Sequence, residues 1–198
     1  MRGSLSSPSA ERQVDLSKFS TGEFDRGAGA FKEALWLIVS RVLFQWCPFC
    51  LSPFKRSVLR LFGAHVGKGV VIKPEVKITF PWKLTLGEEV WLGEESWLLN
   101  LAPIIIASNA CISQRAVLCT GNHNYTSPAF DLITAPIQVG QGAWIGANAF
   151  VSPGVSVGGH AVLTAGSAAT KDLEPYGVYQ GNPAVLVRQR QITARGRS

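Results

Sequence analysis

The stretch Val139-Gly-Gln-Gly-Ala-Trp-Ile145-Gly-Ala-Asn-Ala-Phe-Val151-Ser-Pro-Gly-Val-Ser-Val157-Gly-Gly-His-Ala-Val-Leu163-Thr-Ala-Gly-Ser-Ala-Ala169 decides the fold. Its aliphatic residues return every six positions, a period that neither a helix nor a plain alternating strand produces. Four residues after each of Val139, Ile145, Val151, Val157 and Leu163 comes Ala, Ser or Val, never a bulkier side chain: Ala143, Ala149, Val155, Ala161 and Ser167. The unit that satisfies this pattern is a short strand and a turn, with one large and one small side chain facing inward.

Working outward, the same phase holds at Val66, Ile72 and Ile78, at Leu86, Leu92 and Leu98, and at Ile106, Ile112 and Leu118. It slips by two residues after Ile78 and after Leu98, enough for a corner bulge. After Leu118 it slips much further, which leaves a loop over 124–138 outside the coil; loops of such length are often functional. Gly67, Gly87, Gly93, Gly140, Gly146 and Gly158 each follow the aliphatic position, where a turning backbone is expected to need a residue without a side chain. Three units close a triangular coil, and stacked coils bury a continuous aliphatic ladder. Each rung stabilises by roughly 1.5–3 kcal/mol before the entropy of ordering the chain is subtracted. The expected fold is an all-β parallel β-helix over 63–184.

With 198 residues, 46% apolar and 16% charged, the chain has material for one compact domain with an appendage. No apolar run approaches the roughly 20 residues of a membrane span. The net charge of +6 is concentrated in a basic tail, 185–198, where Arg188, Arg190, Arg195 and Arg197 stand without acids; removing these four leaves +2. A nearly neutral body gives no basis for nucleic-acid binding, and the tail reads as a solvated end. Four cysteines follow no disulfide pattern, which suits a reducing cytoplasm, and Cys47-Pro-Phe-Cys50 lacks the further ligands of a closed zinc site. The start, 1–23, is polar, Ser-rich and expected to be flexible, without the pattern of a signal peptide. The segment 24–62 is apolar and interrupted by Pro48 and Pro53, so it reads as short helices joined by proline turns. It is expected to pack on the main domain or to make a peripheral contact with the inner face of a membrane, with Trp36, Trp46, Lys55, Arg56 and Arg60 at the interface.

The hexads, Thr120-Gly-Asn-His-Asn-Tyr125, Gly142-Ala-Trp-Ile-Gly146 and the ending Thr170-Lys-Asp172…Gly181-Asn-Pro-Ala184 resemble the hexapeptide-repeat acyltransferases. More narrowly, Phe24-Asp-Arg-Gly27, Trp97-Leu-Leu-Asn-Leu-Ala-Pro103 and Pro128-Ala-Phe-Asp-Leu-Ile133 are similar to the sugar O-acetyltransferases of colanic-acid and exopolysaccharide biosynthesis. The likeness runs from about Phe24 to Arg188. It implies a left-handed β-helix, acetyl-CoA as donor, a sugar or lipid-linked sugar as acceptor, and a homotrimer with active sites between subunits.

A sugar hydroxyl is protonated at neutral pH, so its attack on a thioester needs a base within hydrogen-bond reach. Of three histidines, His65 and His160 lie in hexads beside glycines and read as corner residues. His123 ends the last hexad before the loop and matches the family's catalytic His, which makes it the candidate general base. No Ser-His-Asp set is visible, so direct transfer in a ternary complex is expected, without an acetyl-enzyme. Cys119 reads as a packing thiol. Oxyanion donors are sought in the backbone of Gly142 to Gly146.

By the same likeness, Asn100 faces the acceptor or else hydrogen-bonds within a corner, Trp144, Ala147, Ala165 and Thr170 line the coenzyme A groove, with subunit packing the other reading of Trp144, and Lys171 and Arg188 meet its phosphates. Asn124 and Tyr125 are expected to contact the acceptor from the loop that shapes acceptor choice. Two positions depart from the family: Asn124 stands where Asp commonly follows the catalytic His, and Val185 where Lys or Arg commonly follows Gly-Asn-Pro-Ala. Two rival readings share the fold, a zinc hydratase built on convergent histidines and an inactive scaffold subunit. No metal is expected.

Overall fold

The computed structural model describes residues 13–22, 24–46 and 51–193. The hexads form a parallel β-solenoid of three sheets. Sheet one contains β1 (His65–Val66), β4 (Leu84–Leu86), β7 (Ile104–Ile106), β12 (Ile137–Val139) and β15 (Ser156–Val157). Sheet two contains β2 (Val71–Ile72), β5 (Trp91–Leu92), β8 (Cys111–Ile112), β13 (Trp144–Ile145) and β16 (Val162–Leu163), and ends in β18 (Gly177–Gly181) and β19 (Ala184–Gln189). Sheet three contains β3 (Lys77–Ile78), β6 (Trp97–Leu99), β9 (Val117–Cys119), β14 (Phe150–Val151) and β17 (Ala168–Ala169).

The register stacks like on like: Leu86 pairs with Val66 and Ile106, Ile112 with Leu92 and Ile145, and Leu118 with Leu98 and Val151. These aliphatics, with Val66 in the first coil only partly covered, and the small residues Ala110, Ala116, Ala143, Ala149 and Ala161 are buried along the axis. The glycines after the aliphatic position have a different cause from the expected one. Gly146 and Gly158 do not adopt a left-handed φ; a Cβ on them would lie 2.5 Å from the Ala165 nitrogen and 2.4 Å from the Pro175 nitrogen of the next coil. Close stacking of backbone on backbone, rather than turning, excludes a side chain there. The left-handed φ falls further into each corner, on residues such as Asn148 at 54° and His160 at 59°.

Two helices, α1 (Ala30–Ser40) and α2 (Ser52–Leu61), pack on the first coil, with Pro53 in the first turn of α2, where its missing N–H costs nothing. Leu59 and Phe62 cover the start of the aliphatic column, and Trp36 packs edge-on to Phe44 while its indole N–H donates to the Ile78 carbonyl at 3.0 Å. Trp36 and Lys55, expected at a membrane surface, are therefore interior residues; Lys55 donates to the Lys73 carbonyl and lies over the Phe44 ring. Arg56 and Arg60 donate to the carbonyls of Val70 and Val66. Cys47, Pro48, Cys50, Arg195 and Arg197, and the side chain of Trp46, lie outside the described residues.

Two boundaries differ from expectation. The chain after Ala184 is no loose tail: β19 runs antiparallel to β18, and Arg190 donates to the Gly142 and His160 carbonyls at 2.9 and 3.1 Å. The excursion after Leu118 begins and ends as an antiparallel hairpin, β10 (Gly121–His123) with β11 (Leu132–Thr134), and Ile137 and Gln138 already belong to the solenoid.

Candidate active site

A triangular solenoid has three edges, and the edge between sheets three and one carries the hairpin. His123 is the last residue of β10, opposite Leu132. Its ring stacks on Phe130, with centroids 4.4 Å apart and planes 8° from parallel, and Nδ1 lies 3.0 Å from the Phe130 carbonyl oxygen. A carbonyl can only accept, so Nδ1 carries a proton, and in the neutral ring the lone pair falls on Nε2. Among the described residues nothing bonds to Nε2. The arrangement yields an oriented, half-exposed proton acceptor.

The N-terminal stretch, read from sequence as flexible, is docked along this same edge where it is described. Asp15 donates its N–H to the Pro128 carbonyl at 2.8 Å, Leu132 donates to the Ser20 carbonyl at 3.1 Å, and the Phe19 ring lies 5.8 Å from that of His123. Further along, Phe24 stacks on Phe80, and the Trp82 indole donates to the Arg26 carbonyl at 2.7 Å. Lys83 donates to the carbonyls of Asp25 and Leu101, and the partial burial of its ammonium pulls its pKa below the ordinary lysine value. Sequence reasoning missed the docking of residues 13–22 because their partners, Pro128, Leu132 and His123, are far along the chain, whereas the contacts of Phe24 and Arg26 fall in the segment expected to pack on the main domain.

The other expected acceptor residues are placed as follows. Asn100 is fully buried; its Oδ1 accepts from the N–H of Thr79 and Phe80 at 3.1 and 2.9 Å, and Nδ2 donates to the Phe80 carbonyl at 2.6 Å. In this chain it clasps a corner, with its amide turned to backbone rather than to solvent. Asn124 is exposed and its Oδ1 accepts from the Thr126 N–H and hydroxyl at 3.2 and 2.7 Å, a turn of its own rather than a bond to His123. Tyr125 is 77% exposed. Cys119 donates its thiol to the Gly121 carbonyl at 3.2 Å.

The coenzyme candidates divide between two edges. Trp144 is half exposed on sheet two, with its indole N–H on Ser113 Oγ at 2.9 Å, and Ala147 and Ala165 are stacked on the edge between sheets two and three. Neither Ala147 nor Ala165 donates its N–H within the described residues, so this edge presents two open backbone donors. The expected oxyanion donors are not open: the N–H groups of Gly142, Ala143, Trp144 and Gly146 are committed to the carbonyls of Ser108, Gly140, Ala161 and Leu163. Thr170 and Lys171 are exposed on the same edge as His123, and Arg188 is exposed on β19 opposite Val178.

A cleft of about 940 Å³ lies between α1 and sheet three, with Leu101 in its wall. Leu101 Cδ1 is 2.8 Å from where a Cβ on Gly121 would sit, which connects the cleft to the strand that bears His123. His65 points outward from β1, and His160 stacks on Tyr176 in a corner with ring centroids 4.9 Å apart. The histidines thus occupy three separate parts of the chain, and no group of three metal-ligating side chains occurs among the described residues.

Stacked hexad coils with a histidine-bearing excursion define the hexapeptide-repeat acetyltransferase class. A Vibrio cholerae member solved with acetyl coenzyme A matches with a TM-score of 0.74 over 89% of this chain and 98% of that one, at 22% identity. A galactoside acetyltransferase in complex with coenzyme A matches with a TM-score of 0.73 over 81% and 82%, at 21% identity. No family model matches the chain. In sequence it is 44% identical over 179 residues to a protein of Escherichia coli K12 named as the colanic acid biosynthesis acetyltransferase WcaF, covering 90% of this chain and 98% of that relative. The chain belongs to this family of hexapeptide-repeat acetyltransferases.

Proposed function

We propose that the protein is an acetyl-CoA-dependent O-acetyltransferase that acetylates a sugar hydroxyl, free or lipid-linked, during surface polysaccharide assembly. The observation that carries this reading is the orientation of His123, with Nδ1–H held by the Phe130 carbonyl and Nε2 left open at the solenoid edge. His123 takes the hydroxyl proton on Nε2 as the sugar oxygen bonds to the acetyl carbon. It returns that proton to the sulfur as the carbon–sulfur bond breaks, which balances the transfer without an acetyl-enzyme.

One chain places His123 on one edge and the Trp144, Ala147 and Ala165 group on another, so a single subunit does not surround both reactants. This favours a homotrimer in which one subunit's histidine faces the neighbour's open N–H groups. Those donors suit the amide carbonyls of a pantetheine arm, Trp144 its apolar stem, and Lys171, Thr170 and Arg188 the nucleotide end. The protein works at the cytoplasmic side, in contact with the inner face of the membrane when its acceptor is lipid-linked. Coenzyme A release with candidate acceptors, compared between wild type and His123→Ala, tests the reading. Equal acceptor-dependent rates would remove it.

A further inference from the structure

We infer that the outward sides of α1 and α2 form a docking surface for an anionic lipid bilayer, which rests on the peripheral contact in the reading above and assigns it to particular residues. The inner side of α1 buries Trp36 and Ser40. Its outer side carries Phe31, Leu35 and Ile38, continued by Val42 in the next turn, at 82%, 42%, 62% and 45% exposure. The spacing places them in one stripe. In α2, Lys55 and Leu59 face inward, whereas Phe54 and Leu61, with Leu51 at its cap, stand 51%, 82% and 73% exposed. A lone exposed leucine needs no explanation, but two adjacent helices with apolar stripes in water do.

Charge indicates what covers them. Between Glu33 and Glu75 the sequence holds no Asp or Glu, while Arg41, Arg56, Arg60, Lys68 and Lys73 fall inside that interval beside the interior Lys55. Arg41 follows the α1 stripe and Arg60 adjoins Leu61. Neutral carbonyls accept from Arg56 and Arg60, and leave their charge uncompensated. A second copy docked through the same face would set basic groups against basic groups. Anionic headgroups satisfy the cations while the acyl boundary receives the apolar stripes. Such a contact needs no spanning segment, and no helix among the described residues is long and apolar enough to cross a membrane.

The test is flotation of the purified full chain with vesicles of phosphatidylglycerol and phosphatidylethanolamine, against vesicles of phosphatidylcholine alone. Binding is expected to the anionic vesicles and to weaken with salt. Phe31→Ser with Ile38→Ser should lower it by about tenfold or more. Arg41→Gln with Arg60→Gln, which keeps a side-chain donor at both positions, should reduce binding to anionic vesicles. Wild type that stays in the soluble fraction would overturn the inference. So would a Phe31→Ser, Ile38→Ser protein that floats as wild type does, or one whose oligomeric mass changes, since the face would then join copies of the chain. Vesicle binding without acetyl transfer would instead count against the enzymatic reading and sustain the surface.

Discussion

Replacing His123 by Asn separates the chemistry of the imidazole from its structural role. In the folded hairpin the ring does two things: Nδ1–H donates to the Phe130 carbonyl, and the ring face stacks on Phe130. An Asn amide is short enough to keep a donor near the Nδ1 position but offers nothing at Nε2. His123→Ala removes both functions. The lost hydrogen bond costs about 0.5–1.5 kcal/mol, and the lost ring stacking a further 0.5–1.5 kcal/mol or so. His123→Ala should therefore unfold at lower urea than His123→Asn, while both variants lose roughly 2 to 4 orders of magnitude in acceptor-dependent turnover. The rate is read as free coenzyme A thiol released with and without acceptor, and coenzyme binding by calorimetry should be unchanged in both. If His123→Asn retains wild-type turnover, Nε2 is not the base and the assignment fails; if it loses coenzyme binding as well, the residue is holding the site together rather than moving a proton.

Phe19→Ala should release the N-terminal arm from the His123 ring, lowering kcat more than it lowers coenzyme affinity; unchanged kinetics would confine the arm to packing. Asn124→Asp should fold normally, because only Oδ1 is used and a carboxylate keeps both Thr126 contacts; a marked loss of stability would contradict that accounting. Asn100→Ala strands the N–H of Phe80 and its carbonyl inside a buried corner, at a cost of about 2–4 kcal/mol by urea melt. The Arg115 guanidinium beside Glu95 holds that carboxyl below its ordinary value. The pair's stabilisation is therefore present at neutral pH and lost as pH falls through the folded Glu95 pKa. Arg115→Met should differ from wild type in urea midpoint at neutral pH and converge with it in acid.

The candidate base was legible because its signal is local. Asn122 and His123 interrupt a rule that Ala110, Ala116, Ala143 and Ala149 obey, and a broken repeat marks the place where the coil opens. Trp144, Ala147 and Ala165 were singled out by their likeness to a motif, and the open N–H groups of Ala147 and Ala165 became visible only once neighbouring coils had claimed the N–H groups of Gly142 to Trp144 and Gly146. Asn100 stood open between two roles for a related reason: its chemistry suits a sugar and a corner equally well, and only the stacked corner of Phe80 shows where its amide is used.

The six-residue period by itself determined the solenoid, its sheets and the place where the chain leaves the coil, since each coil is made from consecutive residues and the inward ladder repeats along the chain. Tertiary structure alone decided which glycines are required by stacked backbone, which face of α1 is left to solvent, and which ring nitrogen of His123 is free. Each of these depends on partners brought together across coils, as Phe19 is to His123, Trp36 to Ile78 and Gly158 to Pro175. No local spacing encodes such contacts, because they exist only after loop closure has been offset by the burial of the whole column.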